Sequence, residues 1–221
     1  MSRASGVAPS AGGHPSAGGR PIDVPTGNTF DKYGSTNPVV RRLMAGFEAT
    51  LERLFTGAAP ASVLDVGCGE GVLTQRWAEQ LADKPVLGID LADPKLEAEW
   101  SARVRPNLEF RPFAGGELPF PDRSFDLAAA IEVLEHVPDP ERTVAEMARV
   151  AARHLLVSVP REPLWRALNL ARGAYLRELG NTPGHVNHWS KQSFVRMLAR
   201  HGEVVEACSP FPWTMLLLRV A

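Results

Sequence analysis

At 221 residues the chain has room for one compact domain with a substantial core, and little for a second. Apolar residues at 44% and charged residues at 22% exclude a disordered polyampholyte and a membrane-embedded protein. A formal net charge of -1 supplies no general basic field, which argues against a nucleic-acid partner held through phosphate neutralisation.

Residues 1–27 have almost no large apolar side chains to offset the entropy of ordering them, and are expected to form a disordered tail. Asn37 before Pro38 reads as an N-cap with proline at the first helical position. Val40, Leu43, Met44, Phe47, Leu51, Leu54 and Phe55 then recur at helical spacing, so an amphipathic helix is expected to run to just before Gly57. Beyond Pro60, short β-branched runs alternate with helical stretches. Strands are expected at 62–66, 85–90, 107–111, 125–131 and 154–159, with helices from about Val72, Pro94 and Glu141, which is the pattern of a parallel sheet covered by helices. A helix over 163–179, a Gly/Pro/Asn connection, a helix over 191–201 and strands near Val204 and at 214–220 complete a single domain over 28–221.

The first strand runs into Asp65-Val66-Gly67-Cys68-Gly69-Glu70-Gly71, and a helix follows at once. Glycines at such a turn let the backbone bend tightly and bring its N–H groups against a ligand. A dinucleotide turn would read G-x-G-x-x-G; here the spacing is G-x-G-x-G, with an acid two positions before the first glycine. That acid repels a pyrophosphate and suits a cationic amino acid, so the electrostatics favour a sulfonium-bearing nucleoside over NAD. Asp90 closes the second strand, where a carboxylate can accept both hydroxyls of a ribose; Asp93, before Pro94, is the better helix cap.

VLDVGCGEG, the GID that follows, LPFPDRSFDLAAAIEVLEHVPDP and LLVSVP together resemble the class I S-adenosylmethionine-dependent methyltransferases, in particular the group containing the ubiquinone and menaquinone biosynthesis enzymes. The resemblance implies a Rossmann-like α/β fold: a seven-stranded sheet, mostly parallel with an antiparallel last strand, and helices on both faces. It also implies S-adenosylmethionine as donor and S-adenosylhomocysteine as product. The donor contacts it implies are Asp65, Gly67, Cys68, Gly69 and Gly71 at the methionine end, Asp90 and Leu91 at the ribose, and Ile131 nearby. Related enzymes often carry an aspartate four residues before LPF; this chain has Ala114, so adenine recognition is expected at Glu117 and Leu118. Related enzymes also place a lid over the donor, expected here in 28–57 with Tyr33 closing on the cofactor.

Methyl transfer to a hydroxyl needs alignment and one base. His136, after the fourth strand, and His185, in the late connection, are the candidates; the alternative is that Glu135 and His136 only organise their loop. Residues 161–190 are expected to shape the acceptor side or a dimer contact, the alternative being a plain covering helix with solvated arginines, and Trp213 either meets the acceptor or is buried in the last hairpin. Glu132, Glu135, His136 and His185 also resemble the metal-binding methyltransferases of the RNA 3′-terminal ribose, although no metal is assigned. The leading expectation is methylation of a small molecule at oxygen or carbon, in an aromatic, quinone-like or lipid-like acceptor. The alternatives are metal-assisted RNA ribose methylation and a non-catalytic donor-binding module.

Cys68 and Cys208 suggest no disulfide framework, because Cys68 lies in the glycine loop where a bridge would distort the backbone. With no signal-like or membrane-spanning apolar run, a cytoplasmic monomer or homodimer is expected.

Overall fold

The computed structural model describes residues 37–220. The expected tail over 1–27, the segment 28–36 and Tyr33 lie outside the described residues. Helix α1 (Pro38–Ala58) starts at Asn37, whose side-chain oxygen accepts the Val39 N–H at 2.9 Å, and ends at Ala59, a left-handed residue that closes the last turn. It therefore runs past Gly57, because packing of Ala58 against the core outweighs the glycine's weak helix preference.

Then follow β1 (Val63–Val66), α2 (Val72–Leu81), β2 (Val86–Asp90), α3 (Pro94–Ser101), β3 (Leu108–Pro112), β4 (Phe125–Ile131), α4 (Pro140–Val150) and β5 (Ala151–Pro160). The chain finishes with α5 (Leu164–Ala171), α6 (Lys191–Leu198), β6 (Glu203–Cys208) and β7 (Trp213–Arg219). The expected helix over 163–179 is cut short at Ala171. Asn169 draws the chain back on itself, its amide donating to the Gly180 carbonyl at 2.8 Å while its own carbonyl accepts the Ala174 N–H, and Gly173, Tyr175 and Leu179 adopt positive φ.

The seven strands lie in the order β3-β2-β1-β4-β5-β7-β6, and β7 alone runs against its neighbours. The reversal after β3, where the chain crosses from one side of β1 to the other to enter β4, opens a crevice at the carboxyl ends of β1 and β4. The central strands read as continuous apolar runs because both of their faces are covered. Period-two alternation sorts them: Leu64, Ala128, Leu155, Val157, Leu216 and Leu218 pack on the side of α4 and α6. Val63, Leu127, Ala129, Leu156, Met215 and Leu217 pack on the side of α1 and α2, where Phe55 and Trp77 stack at 4.9 Å with planes 6° apart. Among the described residues no helix is long and apolar enough to cross a membrane.

Candidate active site

A cavity of about 1040 Å³ lies along the carboxyl edge of the sheet. Its donor-side wall begins with the loop after β1. Asp65, Gly67, Cys68 and Gly69 line it, as do Asp90 and Leu91 at the tip of β2, Ile131 at the tip of β4, and Leu118. Sequence reasoning had singled out each of these. Gly67 takes φ +76, and a Cβ there would stand 2.5 Å from the Val133 side chain, so only glycine fits. At Gly69 an added Cβ would meet nothing within 4 Å, which leaves its backbone open to a ligand. The loop is braced from behind by the Trp100 indole N–H on the Gly69 carbonyl (2.8 Å) and by Arg103 Nε on the Glu70 carbonyl (2.7 Å).

Asp90 ties the two halves of this wall together. Its Oδ2 accepts the Gly69 N–H and its Oδ1 the Leu91 N–H, both at 2.7 Å. Burial raises the Asp90 pKa, and these two N–H donors oppose that rise.

Two expected donor contacts sit elsewhere. Gly71 is absent from the lining: it caps α2 in a left-handed conformation, with the Phe110 ring 2.5 Å from where its Cβ would be. Glu117 is exposed and also off the lining, which instead uses Phe113, Ala114, Gly115 and Gly116. The carboxylate that meets this loop is Glu146 of α4, accepting the Leu118 N–H at 2.9 Å. No spacing within the loop itself announces that partner.

Asp65 is buried, and its carboxylate accepts the Thr74 hydroxyl at 2.7 Å. Burial pushes its pKa up to about 7; the Thr74 hydrogen bond acts against this, and the nearby Asp90 charge adds to it. The unfolded chain releases this proton near pH 4, so between about pH 4 and about pH 7 the folded state holds more protons and its stability falls as pH rises. Asp65→Asn, which never ionises, is therefore expected to melt increasingly above the ligand-free parent as pH climbs from about 5 to about 8. Thermal melts across that range check this; a gap that does not change with pH would remove Asp65 as the source.

The rest of the cavity is built from α1, α5, the late loop and the start of β7. The first turns of α1 contribute Val40, Leu43, Met44 and Phe47, while α5 presents Trp165, Leu168 and Asn169 along one face, together with Arg172 at its end. Trp213 is buried, as the hairpin reading expected, and still borders the cavity. Its indole N–H donates to Glu132 Oε2 at 2.6 Å, and Glu132 Oε1 accepts the Ser158 hydroxyl at 3.0 Å. Glu132 itself takes φ +61, a left-handed conformation that costs a bulky residue energy and is met at functional sites.

His136 and His185 come together although they lie in separate loops, their rings meeting edge to face at 4.8 Å. Asn187 joins these loops by donating to the carbonyls of Leu134 (3.0 Å) and Val137 (2.7 Å). His136 Nδ1 lies 3.0 Å from the Gly184 carbonyl, an acceptor only, so Nδ1 is the donor of that bond. His188, in contrast, bonds Asn181 at 2.7 Å and does not line the cavity. Ligand atoms of Glu135, His136 and His185 lie within 4.8 Å of one another, a spacing that fits one divalent cation. Glu132, which the sequence grouped with them, is directed to Trp213 and Ser158 instead. Trp165 was the residue that sequence reading missed, since its role depends on α5 being turned onto the sheet edge.

Residues 64–154 match the family model described as a methyltransferase domain. Over 95 residues the chain is 37% identical to a phosphatidylethanolamine N-methyltransferase of Cereibacter sphaeroides, covering 41% of this chain and 45% of that protein. Over 95 residues it is 39% identical to a ubiquinone biosynthesis O-methyltransferase of Hahella chejuensis, covering 40% of this chain and 38% of that protein. The matched region thus spans less than half the length of either relative. Its fold is similar to that of a magnesium protoporphyrin IX methyltransferase of Synechocystis solved with bound S-adenosylhomocysteine, at a TM-score of 0.59 and 16% identity over 85% of this chain and 90% of that one.

Proposed function

We propose that this chain, whose residues 64–154 match the methyltransferase-domain model, uses S-adenosylmethionine to methylate a small-molecule acceptor at oxygen or carbon. One observation carries the reading: the glycine loop and the Asp90 carboxylate, hydrogen-bonded to each other, border the same cavity as the histidine pair. S-adenosylmethionine supplies an electrophilic methyl carbon, whose bond to sulfur breaks with the electron pair remaining on sulfur as S-adenosylhomocysteine. The rest falls to the protein.

A carboxylate with two lone pairs per oxygen has one on each left over after Gly69 and Leu91, enough for the two ribose hydroxyls. Asp65 sits where the donor's ammonium would offset its buried charge. The first turns of α1 and residues 161–190 shape the acceptor side, and His136, oriented through Nδ1 by the Gly184 carbonyl, is the base that takes the proton of an acceptor hydroxyl.

Titration of the full chain with S-adenosylhomocysteine is expected to give saturable binding with one ligand per chain. Failure to bind it, or preferential binding of NADH, would end this reading.

A second reading of the same pocket rests on the Glu135, His136 and His185 cluster: a divalent cation held there would orient an acceptor oxygen and favour its ionised form. Activity lost to EDTA and restored by Mg²⁺ or Mn²⁺, with a rise in melting temperature on adding the metal, supports this second reading. Indifference to EDTA on both measures supports His136 as the base.

A further inference from the structure

We propose that the acceptor half of this cavity takes a planar, apolar ring system bearing one hydroxyl, laid along a wall of aromatic rings that leads to the histidine pair. The proposal rests on the methyl-transfer reading and specifies its acceptor class. Phe47 of α1 and Trp213 of β7 meet at 4.9 Å between ring centres, and Trp213 and Trp165 of α5 at 5.7 Å. Trp165 faces His185 at 6.2 Å with planes 26° apart, and His185 meets His136 at 4.8 Å. Five segments remote in sequence thus contribute one continuous aromatic surface, all of it bordering the cavity.

The polar edges of this wall are engaged within the protein. The Trp213 N–H is held by Glu132, and the Trp165 N–H donates to the Thr182 hydroxyl at 2.9 Å. Thr182 is fixed in turn by the Asn169 amide at 3.2 Å. With both indole N–H groups engaged, the wall recognises a ligand through ring faces and apolar contact. Leu43, Met44 and Leu168 extend the same apolar character around it. Glu132 directs its two oxygens to Ser158 and Trp213, which holds the wall in place. At the far end of the wall a hydroxyl reaches the imidazoles. There its oxygen gains the methyl group, the carbon–sulfur bond of the donor breaks, and its proton passes to nitrogen.

The test is calorimetric titration of the full chain, saturated with S-adenosylhomocysteine, with β-naphthol and with naphthylmethylamine, which carries a similar ring system and a positive charge. Binding of β-naphthol is expected, tighter than that of the amine. Trp165→Ala is expected to weaken it about tenfold or more, and Trp165→Phe to restore part of the loss, while S-adenosylhomocysteine affinity stays within about twofold of the parent. If the loaded chain ignores β-naphthol, prefers the amine, or binds β-naphthol equally well as Trp165→Ala, the acceptor class is wrong although the methyl-transfer reading stands. If S-adenosylhomocysteine itself does not bind, both fall together.

Discussion

Asp90→Ala is expected to weaken S-adenosylhomocysteine binding by about 100-fold or more while leaving the circular dichroism spectrum of the folded chain unchanged. Two effects combine. The carboxylate's remaining lone pairs, proposed to hold the ribose hydroxyls, disappear; hydrogen bonds to a charged group contribute about 1.5–3 kcal/mol each, so two of them already exceed the 2.7 kcal/mol or so that a hundredfold change represents. The Gly69 N–H also loses its acceptor, so the loop is no longer held in its open shape before the ligand arrives. Asp90→Asn keeps one oxygen for Gly69 and is expected to fall between the two. Affinity of Asp90→Ala within about threefold of the parent would show that the ribose does not meet this carboxylate.

The largest stability loss is expected at Trp77→Ala, at about 4 kcal/mol in denaturant unfolding. Trp77 is 1% exposed and stacks on Phe55, so truncation removes a large apolar side chain, leaves a cavity between α1, α2 and the sheet, and strips the stack of one ring. The same pair anchors the C-terminal half of α1, whose first turns border the cavity. Phe55→Leu preserves most of the volume and is expected to cost about 1–1.5 kcal/mol, chiefly the ring contact. A loss below about 1 kcal/mol for Trp77→Ala would mean that α1 is not docked on the sheet as described.

The glycine loop and the acid at the tip of β2 were readable in one dimension because their geometry is local. A glycine turn and the acid two positions before it are placed by the φ and ψ of a few consecutive residues, and Asp90 follows from the end of the next strand. Strand and helix positions came close for the same reason: short apolar runs and the caps at Asn37 and Asp93 act over a few residues. The sequence was less legible where a distant group intervenes. Glu117 was expected at the adenine because Ala114 stands where related enzymes carry an aspartate; it lies off the cavity lining, and the carboxylate that meets this loop is Glu146 of α4. The helix expected to reach Leu179 stops at Ala171 because Asn169 finds partners at Gly180 and Thr182.

From the order of residues alone came the α/β class, the glycine-rich βα turn, and the two histidines as separate candidates. Their meeting, the three-residue cluster they form with Glu135, and the wall from Phe47 to Trp165 came from packing: insertion of β7 between β5 and β6 carries Trp213 beneath α1, and the turn after β5 lays α5 across the same edge. A backbone turn is set by neighbours along the chain, whereas a pocket is enclosed by side chains whose separation in sequence says nothing about their separation in space.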